Sequence, residues 1–300
     1  MDKLVIDGHL FEAVSPHIDL LGEGPVWSVA RQCLYWVDIE GKYVRRLSLA
    51  PKEVVSWRFL ETTGSLTCSS RSELLIALGK DIVRFTPESA HVEIICSEPE
   101  ADVSEWRYND GKCDPRGRFW VGSLPKDAAF PNGSLWRLDE RGNIIQVDTG
   151  FQVPNGLAWS PDGTKMYFAD SRAKEIYCYD YDVELGVASQ RQVFARTTDG
   201  VPDGATVDSD GFLWSAEYGA GRINRFAPDG RLHSQLNLPV LYPTSCAFGG
   251  PHMDILFVTS ATLRTTADDL ADRPLSGRLL AVQVQASGLP EPSYFDRVAL

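Results

Sequence analysis

The sequence predicts an all-β protein built as a six-bladed β-propeller. Three observations carry that reading. Strand-type runs recur at a spacing of about 40 to 48 residues, within the range of blade repeats. Each run follows an opening of similar composition at an offset of about 11 to 13 residues. No helical run extends beyond a turn or two.

The strand centres, in order, are Trp36, Ile76, Trp120, Phe168, Trp214 and Phe257. They lie in short segments such as CLYWVDI, RFWVGSL and KMYFADS, rich in aromatic and β-branched residues that suit a pleated, buried surface. The openings are expected to be turns. They are Gly22-Glu23-Gly24-Pro25, Thr63-Gly64-Ser65, Asn109-Asp110-Gly111, Pro154-Asn155-Gly156, Pro202-Asp203-Gly204 and Pro243-Thr244-Ser245. Between strands fall Asp114-Pro115-Arg116-Gly117, Pro161-Asp162-Gly163, Ser209-Asp210-Gly211 and Pro228-Asp229-Gly230, read as outer hairpin turns in which glycine supplies positive φ. Thr265 to Leu270 is a loop or short helix. His9 to Val14 is expected to pair with the last repeat and close the ring, removing its open edge. With no Ser/Gly-rich linker, residues 1–300 read as one propeller domain.

Composition narrows the function. The chain has 300 residues, 43% of them hydrophobic, and a formal net charge of −12. Such acidity, without a basic cluster, argues against nucleic acid and anionic membrane partners. No apolar run reaches the length of about 18 residues needed to span a bilayer. The first residues lack the apolar stretch of a secretory signal, so the expected location is cytoplasmic. The six scattered cysteines, without a CxxC pair, read as reduced thiols. The expected assembly is a monomer or weak homo-oligomer.

A propeller aims its openings at one axis. Glu23 and Asp203 would bring carboxylates there, and Asn109 and Asn155 would bring amide oxygens. Buried carboxylates repel and lose hydration, and a cation offsets both costs, so an all-oxygen divalent metal site in the central channel is expected. No histidine or cysteine stands at an opening, which favours calcium, magnesium or manganese over a tetrahedral zinc site. Iron(II) or zinc on a carboxylate and amide site stays an alternative. The sequence holds no Gly-x-Ser-x-Gly elbow, phosphate loop or dinucleotide fingerprint.

The stretches LGEGPVW, RYNDGKCDPRGRFWVG, VPNGLAWSPDGTKMYFADS and PDGATVDSDGFLW resemble the gluconolactonase, regucalcin and luciferin-regenerating enzyme family, as does PTSCAFGG. The resemblance runs from about residue 20 to 285, with several motifs in order. It implies a six-bladed propeller with one divalent ion in the channel, calcium first, hydrolysing a small sugar lactone. On that resemblance the metal ligands fall on Glu23, Asn155 and Asp203. Asp203 is also the candidate general base, because one of its oxygens could bind the ion while the other faces the water. The substrate contacts fall on Arg107 and Asn109, with Asp127 the nearest acid for a further contact. The alternative is a calcium-binding regulatory protein, and a third reading is an interaction scaffold. A sugar-facing Arg and Asn speak against the former, and polar residues gathered at the axis speak against the latter.

Overall fold

The computed structural model describes residues 2–69, 73–97, 106–125, 131–139 and 141–295. Among them are six antiparallel sheets, five of four strands and one of five. The first blade runs Gly22–Ser28, Cys33–Asp38, Tyr43–Leu49 and Lys52–Arg58, and the next four repeat that meander. The six first strands are Gly22–Ser28, Thr63–Cys68, Trp106–Cys113, Pro154–Trp159, Val201–Val207 and Pro243–Gly249. Each contacts the next around the ring, and the last contacts the first. The fold is a six-bladed β-propeller.

The sixth blade closes the ring as expected. Strand His9–Ala13 pairs with Leu280–Gln283, which pairs with Ile255–Ser260. A further strand, Lys3–Ile6, adds an edge the sequence did not suggest. Phe11 on the closing strand is fully buried.

The core consists of six apolar clusters, one at each junction between neighbouring blades. The strand centres Trp36, Ile76, Trp120, Phe168 and Phe257 are fully buried, and Trp214 is 6% exposed. Trp27 of the first blade stacks on Phe257 of the sixth at 5.9 Å, which seals the closing junction. Buried indoles need an acceptor. Trp36 donates to Asp19, Trp120 to Asp114 and Trp214 to Asp208. Each of these carboxylates also takes an arginine, Arg45, Arg118 and Arg225 in turn.

Two expectations need correction. The openings are parts of the innermost strands, not turns. Polar and glycine residues sit there because each first strand is bulged at its opening. Three of the four glycine turns read as outer hairpins are not. Those ending at Gly117, Gly163 and Gly211 join the first and second strands of blades three to five, and only Gly230 lies in an outer connection. All four glycines have positive φ, the property that singled them out. The short helix forms at Ala267–Asp272, two residues later than expected, with a capping box between Thr266 and Asp269. No helix among the described residues is long and apolar enough to cross a membrane.

Candidate active site

In all six first strands the pairing register slips at the opening: after Glu23, Thr63, Tyr108, Asn155, Pro202 and Pro243. A bulge breaks the strict in-out alternation and re-aims side chains. This is the local device that turns Glu23, Asn109, Asn155 and Asp203 toward the axis. Glycine permits it where blades touch. Gly156 has φ of +62° and lies so close to blade five that a Cβ would come within 2.8 Å of the Asp203 carbonyl oxygen.

The side chains expected at the axis are brought together. Glu23, Asn109, Asn155 and Asp203 are each between 4 and 7% exposed. With Arg107 they line one cavity of about 380 Å³. A hydrogen-bond chain crosses three blades. Arg107 Nη1 donates to Asn109 Oδ1 at 2.7 Å, and Asn109 Nδ2 donates to Asn155 Oδ1 at 2.8 Å. Asn155 Nδ2 donates to Ser171 Oγ at 2.8 Å, and Ser171 Oγ donates to the Pro202 carbonyl at 2.7 Å. The chain ends beside Asp203. It fixes both amide orientations, so that Asn155 presents its oxygen, not its nitrogen, toward Asn109.

The electrostatics of the floor are unfavourable as the side chains stand. Glu23 and Asp203 share a side-chain hydrogen bond, and both are pushed well above the ordinary carboxylate range. Burial is the main cause, followed for Glu23 by the charges of Asp203 and Asp110, and for Asp203 by that of Asp110. Asp203 Oδ1 is buried without a hydrogen-bond partner. Below them Asp110 is itself raised by burial, with Lys112 opposing. Burial pulls Lys112 down, but Glu291, 2.9 Å away, outweighs it and holds the ammonium charged. Residues 289–292 thereby cap the far end of the channel, where a second cavity of about 270 Å³ lies.

A buried, unpartnered carboxylate oxygen is costly. Beside it stand a second carboxylate and an amide oxygen with a spare lone pair. This donor set, all hard oxygen, fits a divalent cation of the calcium, magnesium or manganese kind. Burial draws the Arg107 pKa down while Glu40 and Glu23 oppose, and the guanidinium remains a fixed fork at the cavity wall. Asp127 lies outside the described residues.

Sequence reasoning missed Glu40, Ser171, Arg172, Tyr218 and Arg264, which also line the cavity. They share one signal: each lies at or just past the end of a second strand, the edge that faces the same mouth. Leu263 and Arg264 reach the cavity from the segment that follows Ser260.

The profile described as SMP-30/Gluconolactonase/LRE-like region matches residues 21–262, beginning just before Glu23 and ending just past the last second strand. The chain belongs to the SMP-30/gluconolactonase family. A 6-deoxy-6-sulfogluconolactonase of Pseudomonas putida is 36% identical, covering 92% of this chain and 95% of its own. An L-arabinolactonase of Azospirillum brasilense is 35% identical over 90% of each chain. A solved structure of a calcium-binding protein, regucalcin, from Agrobacterium tumefaciens superposes with a TM-score of 0.90 at 27% identity, covering 94% of this chain and 96% of that one.

Proposed function

We propose that the protein is a metal-dependent lactonase that hydrolyses a sugar lactone to its aldonic acid in carbohydrate breakdown. One observation carries this reading: the partnerless Asp203 Oδ1 lies with Glu23 and Asn155 on the floor of the cavity whose wall holds Arg107 and Asn109. Family membership and relatives named as lactonases support the reaction class.

Hydrolysis of a cyclic ester adds water oxygen to the carbonyl carbon and breaks the ring C–O bond. The ring oxygen takes a proton and becomes a hydroxyl, and the new carboxylic acid releases a proton at neutral pH. Glu23, Asn155 and Asp203 would hold the ion, with calcium favoured by the oxygen donors and zinc, manganese, magnesium or iron(II) as alternatives. A divalent cation there supplies the positive charge that the developing oxyanion needs. Asp203 has two oxygens, so one can face the ion while the other accepts the proton of the attacking water. Arg107 offers donors to ring hydroxyls and Asn109 helps orient it. Leu124 and Leu263 supply apolar wall and limit stray water.

The regulatory, calcium-binding reading draws on the regucalcin neighbour. The guanidinium wall weighs against it, because ion buffering requires no donor fork beside the ion. The test is proton release from neutral aldonolactones by protein stripped with chelator and then reloaded with single metals. Metal-restored turnover is expected. No hydrolysis of any lactone by loaded, folded protein would leave the ion-binding reading in its place.

A further inference from the structure

Two guanidinium groups of the cavity are left without partners. Arg172 follows the second strand of blade four, and Arg264 follows that of blade six. Among the described residues neither side chain makes an ion pair or hydrogen bond. Both are exposed at the cavity mouth, whereas several less exposed arginines pair with acids, as Arg118 does with Asp114, Arg222 with Glu217 and Arg225 with Asp208. The chain carries a net charge of −12, so acids are plentiful.

Blade five lies between these two arginines and presents Tyr218 to the same cavity. Burial holds the Tyr218 phenol up at about 12, with Arg264 drawing it the other way, so its O–H remains a donor. Among the described residues, the acids that line the cavity are Glu23, Glu40 and Asp203. Glu40 acts on Arg107, and Glu23 and Asp203 form the floor. A divalent ion on the floor neutralises two carboxylate charges. Among the described residues, the rim is then left with unmatched positive charge on the side of blades four to six.

We propose that Arg172 and Arg264, with Tyr218 between them, select a sugar lactone that carries an anionic substituent remote from the ring carbonyl. The inference rests on the lactonase reading above and names the substrate class for that site. Guanidinium forks match sulfonate, phosphate and carboxylate groups alike. The reacting carbonyl stays over the floor, near Asp203, while the charged end reaches the rim.

The experiment compares gluconolactone with its 6-phosphate, its 6-deoxy-6-sulfonate and the corresponding 6-carboxylate lactone. The expected result is a kcat/KM at least tenfold higher for one or more charged lactones, carried by KM and shrinking as salt is raised. In the R172A/R264A double variant the charged-to-neutral ratio should fall about tenfold, and R172K/R264K should restore part of it. Which anion leads identifies the source of the charge. Equal use of neutral and all charged lactones overturns the proposal, as does a preference that survives in the double variant. Calorimetric binding of gluconate against 6-phosphogluconate, in wild type and double variant, decides the charge preference separately. If no lactone is hydrolysed but the phosphorylated acid alone binds through the two arginines, the reaction fails and the rim assignment stands. If both acids bind equally, the rim assignment fails whatever the turnover.

Discussion

Asp203 concentrates the chemistry of this molecule in one side chain. It is buried, hydrogen-bonded to Glu23, repelled by Asp110, and leaves one oxygen unpartnered. Such a residue opposes the stability of the empty fold. Asp203→Asn should raise the melting temperature of chelator-treated protein by a few degrees, because a buried like-charge contact is removed. It should also abolish stoichiometric metal binding and lower lactone turnover by roughly 10²-fold or more. Metal analysis, thermal unfolding and pH-stat assay read the three effects. The raised carboxylates set a pH dependence as well. A group whose folded pKa lies above its unfolded value contributes stability at low pH and loses it as pH rises through the folded pKa. Metal-free protein should therefore lose stability as pH climbs above the ordinary carboxylate range. Added calcium should cancel that loss, since binding favours the deprotonated pair. Melting curves across pH with chelator and with calcium should diverge. Parallel curves would show that the pair does not meet the ion.

At the scale of the element, the bulged first strand is the device that makes the site. Its cost shows at Gly156, where alanine would both enter the left-handed region and press on the Asp203 carbonyl at 2.8 Å. Gly156→Ala should destabilise by about 2–3 kcal/mol and loosen metal retention. Gly150→Ala, at φ of +90° with nothing within 4 Å, should cost only the backbone term, about 1 kcal/mol, and leave metal content intact. Chemical denaturation of both variants checks the pair. The bulge also explains what the sequence could and could not disclose. Pro-Asn-Gly and Pro-Asp-Gly were readable as repeated polar anchors because their spacing is regular. They looked like turns because the same residues serve turns and bulges. The register slip depends on the neighbouring strand, so no local pattern announces it. Ser171 was hidden for a similar reason: its role is to relay Asn155 to the Pro202 carbonyl of the next blade, a tertiary contact. Arg172, Tyr218 and Arg264 lie far apart in sequence and share a mouth only because second strands end at one face.

At the scale of the whole molecule, closure of the ring holds the axis in place. The strands were legible because buried aromatic centres recur six times, and the closing N-terminal strand because an open ring needs one. The charged column from Asp110 through Lys112 to Glu291 was not, since it depends on a C-terminal segment folding back beneath the channel. Phe11 tests the closure. It is fully buried in the cluster between blades five and six, while neighbouring Leu10 is 52% exposed. Phe11→Ala should cost about 3–5 kcal/mol, and Leu10→Ala should stay within about 0.5 kcal/mol of wild type. Turnover per folded molecule should change little in either, since neither touches the axis. The most direct measurement of the central claim is a crystal of metal-loaded protein with the ion located by anomalous scattering. The expected result for calcium is one peak on the axis, about 2.3–2.6 Å from oxygens of Glu23, Asn155 and Asp203. A stoichiometric ion bound elsewhere, with no peak on the axis among those three side chains, would contradict it.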